Sequence, residues 1–136
     1  MINNIEITKE NMLKYFDSFN GFIKHNNIHI ESLDDDKAVL YADLSDDSMN
    51  PGGIAHGGLL FGLADSAMGS LAYLTKKVAV TIDSNINYLK PCTGKTVKCV
   101  ATPVKVGKTI AVYKAEIYNE KEELSAIVTA NYMFVG

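Results

Sequence analysis

The chain has 136 residues, 47 % of them hydrophobic and 21 % charged, a balance that supports a buried core and excludes disorder or low complexity. A net charge of -3 excludes a broadly basic nucleic-acid or membrane surface and leaves only a local patch of Lys90, Lys95, Lys98, Lys105 and Lys108. Cys92 and Cys99 have no CxxC partner, so neither a zinc set nor a disulfide framework is expected, only buried or half-buried free thiols.

A single domain over residues 1–136 is the expected organisation. The opening MINNIEITKENMLKYFDSFNG lacks a basic region followed by an apolar one, so no secretory signal is read and a cytoplasmic location is expected. Thr8 stands as a cap before KENMLKYFDSF, where Met12, Tyr15, Phe16 and Phe19 recur at the spacing of a short amphipathic helix. NIHIESL and KAVLYADL alternate apolar and polar residues around DDD and predict a hairpin. His25 and His29 are four apart, but HNNIH opens a strand, where that spacing does not converge on a metal. SDDSMNPGGIA is a loop by its Pro, Gly and Asp content.

The segment NPGGIAHGGLLFGLADSAMGSLAYL, Asn50 to Leu74, is apolar nearly throughout from Gly57 onward. A membrane span wants about 20 apolar residues, and Asp65, Ser66, Ser70 and the glycines interrupt this one. A helix that is apolar all round must be covered all round. Only one other, short helix is available, so strands must supply the cover and a sheet wrapped around the helix is predicted. Gly62, Ala64, Ala67 and Gly69 would let neighbouring surfaces approach the axis, at about 1 kcal/mol of helix propensity per glycine.

Past Leu74 the period changes to two. Val78, Val80, Ile82, Ile86 and Tyr88 share one predicted face, and Thr81, Asp83, Asn85 and Asn87 the other. TVKCVATPVKV, TIAVYKAEIYN and LSAIVTANYMFV follow as three more strands, joined by turns at Gly107-Lys108 and at EKEE. Pro103 cannot donate a ladder bond and is expected at a sheet edge or bulge. The two GKT triplets are not P-loops, because Leu89 and Thr102 stand where the motif needs its first glycine.

The first four N–H groups of a helix lack intrahelical partners, and no Ser, Thr, Asp or Asn stands where it would cap this one. Gly57 and Gly58 either leave those donors open to a carbonyl oxygen that gains negative charge in a reaction, or merely let the loop turn tightly. Asp65 is costly on a buried helix unless paired or facing a cavity. Ser66 or a strand residue such as Thr81 could satisfy it, or it serves as general base or nucleophile. His56 and Asp65 are separated by about 900° of rotation and roughly 13 Å of rise. If both serve one site, a second subunit related by a two-fold axis must supply one of them.

The pattern Asn50-Pro51-x-Gly53-x-x-His56-Gly57-Gly58, then Asp65, then VTIDSNINYLKP from Val80 to Pro91, resembles the PaaI-like group of hotdog-fold acyl-CoA thioesterases. The resemblance runs from the first strand to the end and leaves the N-terminal stretch unmatched. It implies an α+β hotdog fold: a long central helix wrapped by a curved five- to six-stranded antiparallel sheet, with a short N-terminal helix. It also implies homodimers whose sheets join edge to edge, often as dimers of dimers. By position, Asp65 matches the general base or nucleophile, and the Gly57 N–H matches the donor to the thioester carbonyl. Asn50 and His56 match pocket-lining polar residues, and Thr81 a hydroxyl residue that holds the attacking water. Gly58, Asn85, Lys90, Pro91 and Lys108 are expected to bind substrate. No metal and no separate cofactor is implied, coenzyme A being part of the substrate, and neither nucleic acid nor membrane is an expected partner. The competing expectation is a non-catalytic module that binds acyl-CoA as sensor or scaffold; a lone acid on the central helix favours the enzyme.

Overall fold

The computed structural model describes residues 6–135. Helix α1 spans Lys9–Tyr15, and Thr8 caps it by accepting from the Asn11 N–H at 3.1 Å. The predicted helix ends sooner than its apolar spacing suggests: Phe16–Ser18 tighten into a 3-10 turn. A second short helix that the sequence did not announce, α2 at Phe22–His25, starts from Gly21 at φ +90°. Met12, Phe16 and Phe19 are buried, so this segment folds down onto the body of the protein.

The hairpin forms as expected from β1 (Ile28–Asp34) and β2 (Lys37–Asp43). After a 3-10 turn at Asp46–Ser48, the central helix α3 runs Gly57–Leu74, and β3 (Ala79–Tyr88), β4 (Thr96–Val106), β5 (Ile110–Tyr118) and β6 (Leu124–Phe134) complete the chain. One six-stranded antiparallel sheet results, in the order β1-β2-β4-β5-β6-β3. Pro103 meets both of its expected conditions. It lies past Ala101, the last β4 residue paired with β2, and beside a register shift on the β5 side.

Alternation of side chains gives the sheet its inner face. Val97, Cys99 and Ala101 of β4, Tyr113, Ala115 and Ile117 of β5, and Val128, Ala130 and Tyr132 of β6 are all buried. Against them α3 sets Leu60, Leu63, Ala64, Ala67, Met68 and Leu71, and it packs on all six strands. Each fully buried Leu or Met contributes about 1.5–3 kcal/mol relative to exposure, which outweighs the propensity lost at the helix glycines. Ala64 and Ala67 are fully covered, as close packing on strands requires. Both cysteines are free and buried.

Two expectations need correction. The sheet does not cover α3 all round: Gly58, Asp65 and Tyr73 are exposed and Gly62 and Gly69 half-buried, a stripe along the side that the strands leave open. Nor does β3 bury one apolar face. It is an outer strand with a register shift between Thr81 and Asp83, which breaks the alternation, and Val80, Ile82 and Tyr88 all stay exposed. Val78 precedes the strand. Among the described residues no helix is long and apolar enough to cross a membrane.

Candidate active site

Asp65 lies in the third turn of α3, on the stripe that the strands leave uncovered, at a cleft of about 640 Å³ between α3 and the N-terminal segment. The sequence predicted a buried carboxylate; the side chain is exposed, because it stands on the side of α3 that the strands leave open. Its Oδ1 is nonetheless held from two sides. The Thr81 hydroxyl donates to it at 3.0 Å and the Tyr132 hydroxyl at 2.8 Å, with Tyr132 also 3.2 Å from the Asp65 carbonyl. Among the described residues Oδ2 has no hydrogen-bond partner. One oxygen is therefore fixed and the other left to accept a proton or attack a carbon.

Tyr132 was not among the candidates that the sequence offered. It reads there as one more inward residue of a terminal strand, and only its pairing with the β3 region brings it to Asp65. It is 4 % exposed, and its ring meets Tyr113 edge-on at 5.4 Å. Burial pushes its hydroxyl well above the usual tyrosine range, so at neutral pH it remains a donor. Thr81, near the start of β3, does bond to Asp65, the contact by which the sequence allowed the acid to be satisfied without a catalytic role.

The start of α3 is capped after all, by an unexpected residue. The His56 Nδ1 accepts from the Gly58 N–H at 2.8 Å, which assigns the ring proton to Nε2. Gly58 thus has its donor engaged within the chain, while no described residue accepts from the Gly57 N–H. Neither glycine has positive φ, so a tight turn is not what requires them. A Cβ on Gly57 would stand 2.8 Å from the Tyr88 hydroxyl, which donates to the Gly57 carbonyl at 2.7 Å, so any side chain there makes Tyr88 shift. Tyr88, a second residue missed in the sequence, braces the donor end of the helix.

Asn50 and Gly57 meet in a second cleft of about 360 Å³, together with Tyr88, Lys90 and Pro91. Asn50 shapes the loop there, its Oδ1 accepting from the Gly52 N–H at 2.9 Å and the Ile54 N–H at 3.4 Å. Lys90 is paired with Glu123 at 2.7 Å, and that contact holds the Glu123 carboxyl below its usual range. Four candidates line neither cleft. His56, expected to line the pocket, and Gly58 are both exposed at the start of α3, Asn85 sits on the outer strand accepting from the Asn87 amide at 3.2 Å, and Lys108 lies in the β4–β5 turn, its carbonyl accepting from Lys77 Nζ at 3.2 Å. The two clefts share no residue. The free N–H and the oriented carboxylate therefore belong to different surfaces of one chain. Among the described residues no cluster of His, Cys, Asp and Glu could hold a metal.

Comparison with known proteins agrees with the resemblance read from the motifs. The sequence matches the family described as the Thioesterase superfamily over residues 52–126. It is 32 % identical over 110 residues to the acyl-coenzyme A thioesterase PaaI of Escherichia coli K12, a span that covers 80 % of this chain and 79 % of that protein. The structure of the E. coli PaaI protein from the phenylacetic acid degradation operon superimposes with a TM-score of 0.84 at 27 % identity, over 90 % of each chain. A thioesterase from Haemophilus influenzae superimposes with a TM-score of 0.83 at 28 % identity, over 95 % of this chain and 91 % of that one.

Proposed function

The chain belongs to the thioesterase superfamily as a PaaI-like hotdog-fold enzyme, and from that premise we propose that it hydrolyses an acyl-coenzyme A to the free acid and coenzyme A, with Asp65 as the reacting carboxylate. The observation that carries this reading is the asymmetry of Asp65. Thr81 and Tyr132 donate to Oδ1, and among the described residues none bonds to Oδ2 at the cleft. As a general base, Oδ2 takes a proton from water while the water oxygen bonds to the thioester carbon. As a nucleophile, Oδ2 bonds to that carbon itself and the resulting anhydride is then cleaved by water. In the first route the C–S bond breaks and the proton held by Asp65 passes to the leaving sulfur; in the second the sulfur leaves as a thiolate that takes its proton from water, and hydrolysis of the anhydride restores the carboxylate.

Charge that collects on the carbonyl oxygen needs a donor, and the free Gly57 N–H at the positive end of α3 suits it. A composite site in a homodimer supplies what one chain cannot. The outer edge of β3 has no described strand on it, and Val80, Ile82 and Tyr88 stand exposed along it. If two copies pair there antiparallel about an axis between Ser84 and Asn85, the numbering sets Thr81 of one chain opposite position 88 of the other. The Asp65 cleft of each chain then faces the Gly57 cleft of its partner. Two such sites form per dimer.

Release of free thiol from a panel of acyl-CoAs, run beside Asp65→Asn, tests the function. Thiol release by the wild type and its loss in the variant support it; a wild type that releases no thiol from any acyl-CoA overturns it.

A further inference from the structure

The cleft at Asp65 continues along α3 past the carboxylate. Its floor is Ser66, Gly69 and Ser70, and its roof is apolar side chains of the N-terminal segment, among them Phe16 and Phe19. Among the described residues Asp65 is the only charged one lining it, and none of them offers a cation to the phosphates of coenzyme A. Gly69 leaves room: a Cβ there would find nothing nearer than the Tyr132 hydroxyl at 3.9 Å. At the far end stands Tyr73, which also lines a separate hollow of about 440 Å³ beside Ile7 and Val78. Tyr73 and Ala79 thus stand between the two spaces, the second of which is lined by Ile7 and Val78 and rimmed by Glu6, Lys76 and Lys77. From Asp65 to Tyr73 the helix rises about 12 Å, the reach of an acyl chain of medium length.

Resting on the thioesterase reading, we propose that this groove receives the acyl chain of a medium-chain acyl-CoA, with Gly69 setting its depth and Tyr73 its length. The thioester then sits at Asp65, the chain lies over Ser66 and Gly69, and the nucleotide end points away from the groove. Neither Gly69 nor Tyr73 touches the reacting atoms. They determine which chain is held, not how the bond is cleaved.

The test uses non-hydrolysable S-alkyl-CoA thioethers from butyl to dodecyl, with binding measured by calorimetry on the wild type, Tyr73→Ala and Gly69→Leu. In the wild type Kd should fall about fourfold per added CH2, the gain from burying one methylene, and level off near octyl. Tyr73→Ala joins the two hollows, so the gain should continue to dodecyl. Gly69→Leu favours the helix and fills the floor, so the gain should stop at shorter chains. A wild type whose affinity ignores chain length, or the same length dependence in all three proteins, overturns the proposal. Because tyrosine to alanine opens the groove and glycine to leucine blocks it, either variant that folds by circular dichroism decides the question alone. Binding is read without turnover: a chain-length pattern with no hydrolysis leaves the groove standing and removes the thioesterase reading, and hydrolysis without the pattern does the reverse.

Discussion

The Tyr132 hydroxyl and the Asp65 carboxylate meet at 2.8 Å across residues 67 apart in sequence, and Thr81 donates to the same oxygen at 3.0 Å. Two donors on one oxygen fix the rotation of the carboxylate and aim the other oxygen at the cleft. A mid-helix acid on an uncovered stripe is thereby given a direction.

Asp65→Asn keeps the shape of the side chain and can still accept from Tyr132 and Thr81 through its amide oxygen, but it cannot take a proton or attack. Turnover of acyl-CoA should fall by about 10²-fold or more, the usual worth of a general base, with fold and acyl-CoA binding unchanged. Steady-state thiol release with a calorimetric Kd on the same preparation checks this. Turnover within about tenfold of wild type removes Asp65 as the base.

Tyr132→Phe and Thr81→Val each remove one donor and leave one. Each should lower kcat by roughly tenfold with little change in KM, because a hydrogen bond to a charged group is worth about 1.5–3 kcal/mol and part of it survives in the remaining partner. The double variant should lose more than the product of the two single effects, since only then is Oδ1 free to rotate. A double variant that loses only the product shows that the two hydroxyls act independently.

Gly57→Ala puts a Cβ 2.8 Å from the Tyr88 hydroxyl. In an ordinary helix the change would be neutral or stabilising; here it should lower Tm. In a Tyr88→Val background the obstruction is gone and the same change should raise Tm. Thermal unfolding of the four proteins gives the sign directly, and a Tm that rises in both backgrounds shows that Tyr88 does not dictate glycine at 57.

The composite site is tested by mixing. Asp65→Asn removes the carboxylate, and His56→Ala releases the Gly58 N–H and loosens the end of α3 that presents the Gly57 donor. Each should be poorly active alone. Refolded together in equal amounts, about half the dimers are mixed and about a quarter of all sites carry neither lesion, a consequence of two-fold symmetry with shared sites. Activity should return towards that fraction. Mixed dimers that form by tagged pull-down and stay as inactive as the separate variants show that one chain supplies both residues or that His56 is not used.

The sequence alone determined the elements whose signal is local. Period-two alternation marked all six strands, Thr8 marked the start of α1, and the apolar run from Gly57 to Leu74 marked α3, each within its own window of chain. The linked motifs from Asn50 to Pro91 likewise pointed to the family, and Asp65 stood out because an acid on an apolar helix is costly wherever it sits. Tertiary structure decided whatever depends on register between distant segments: that β3 lies outermost with a bulge breaking its face, that Tyr132 reaches Asp65 from β6, and that Tyr88 reaches back to the Gly57 carbonyl. It also decided which side of α3 the sheet leaves open, and so turned an expected buried carboxylate into an exposed one at a cleft. Helical and strand periods say which residues share a face; only the order and register of strands, set by long-range packing, say what that face meets.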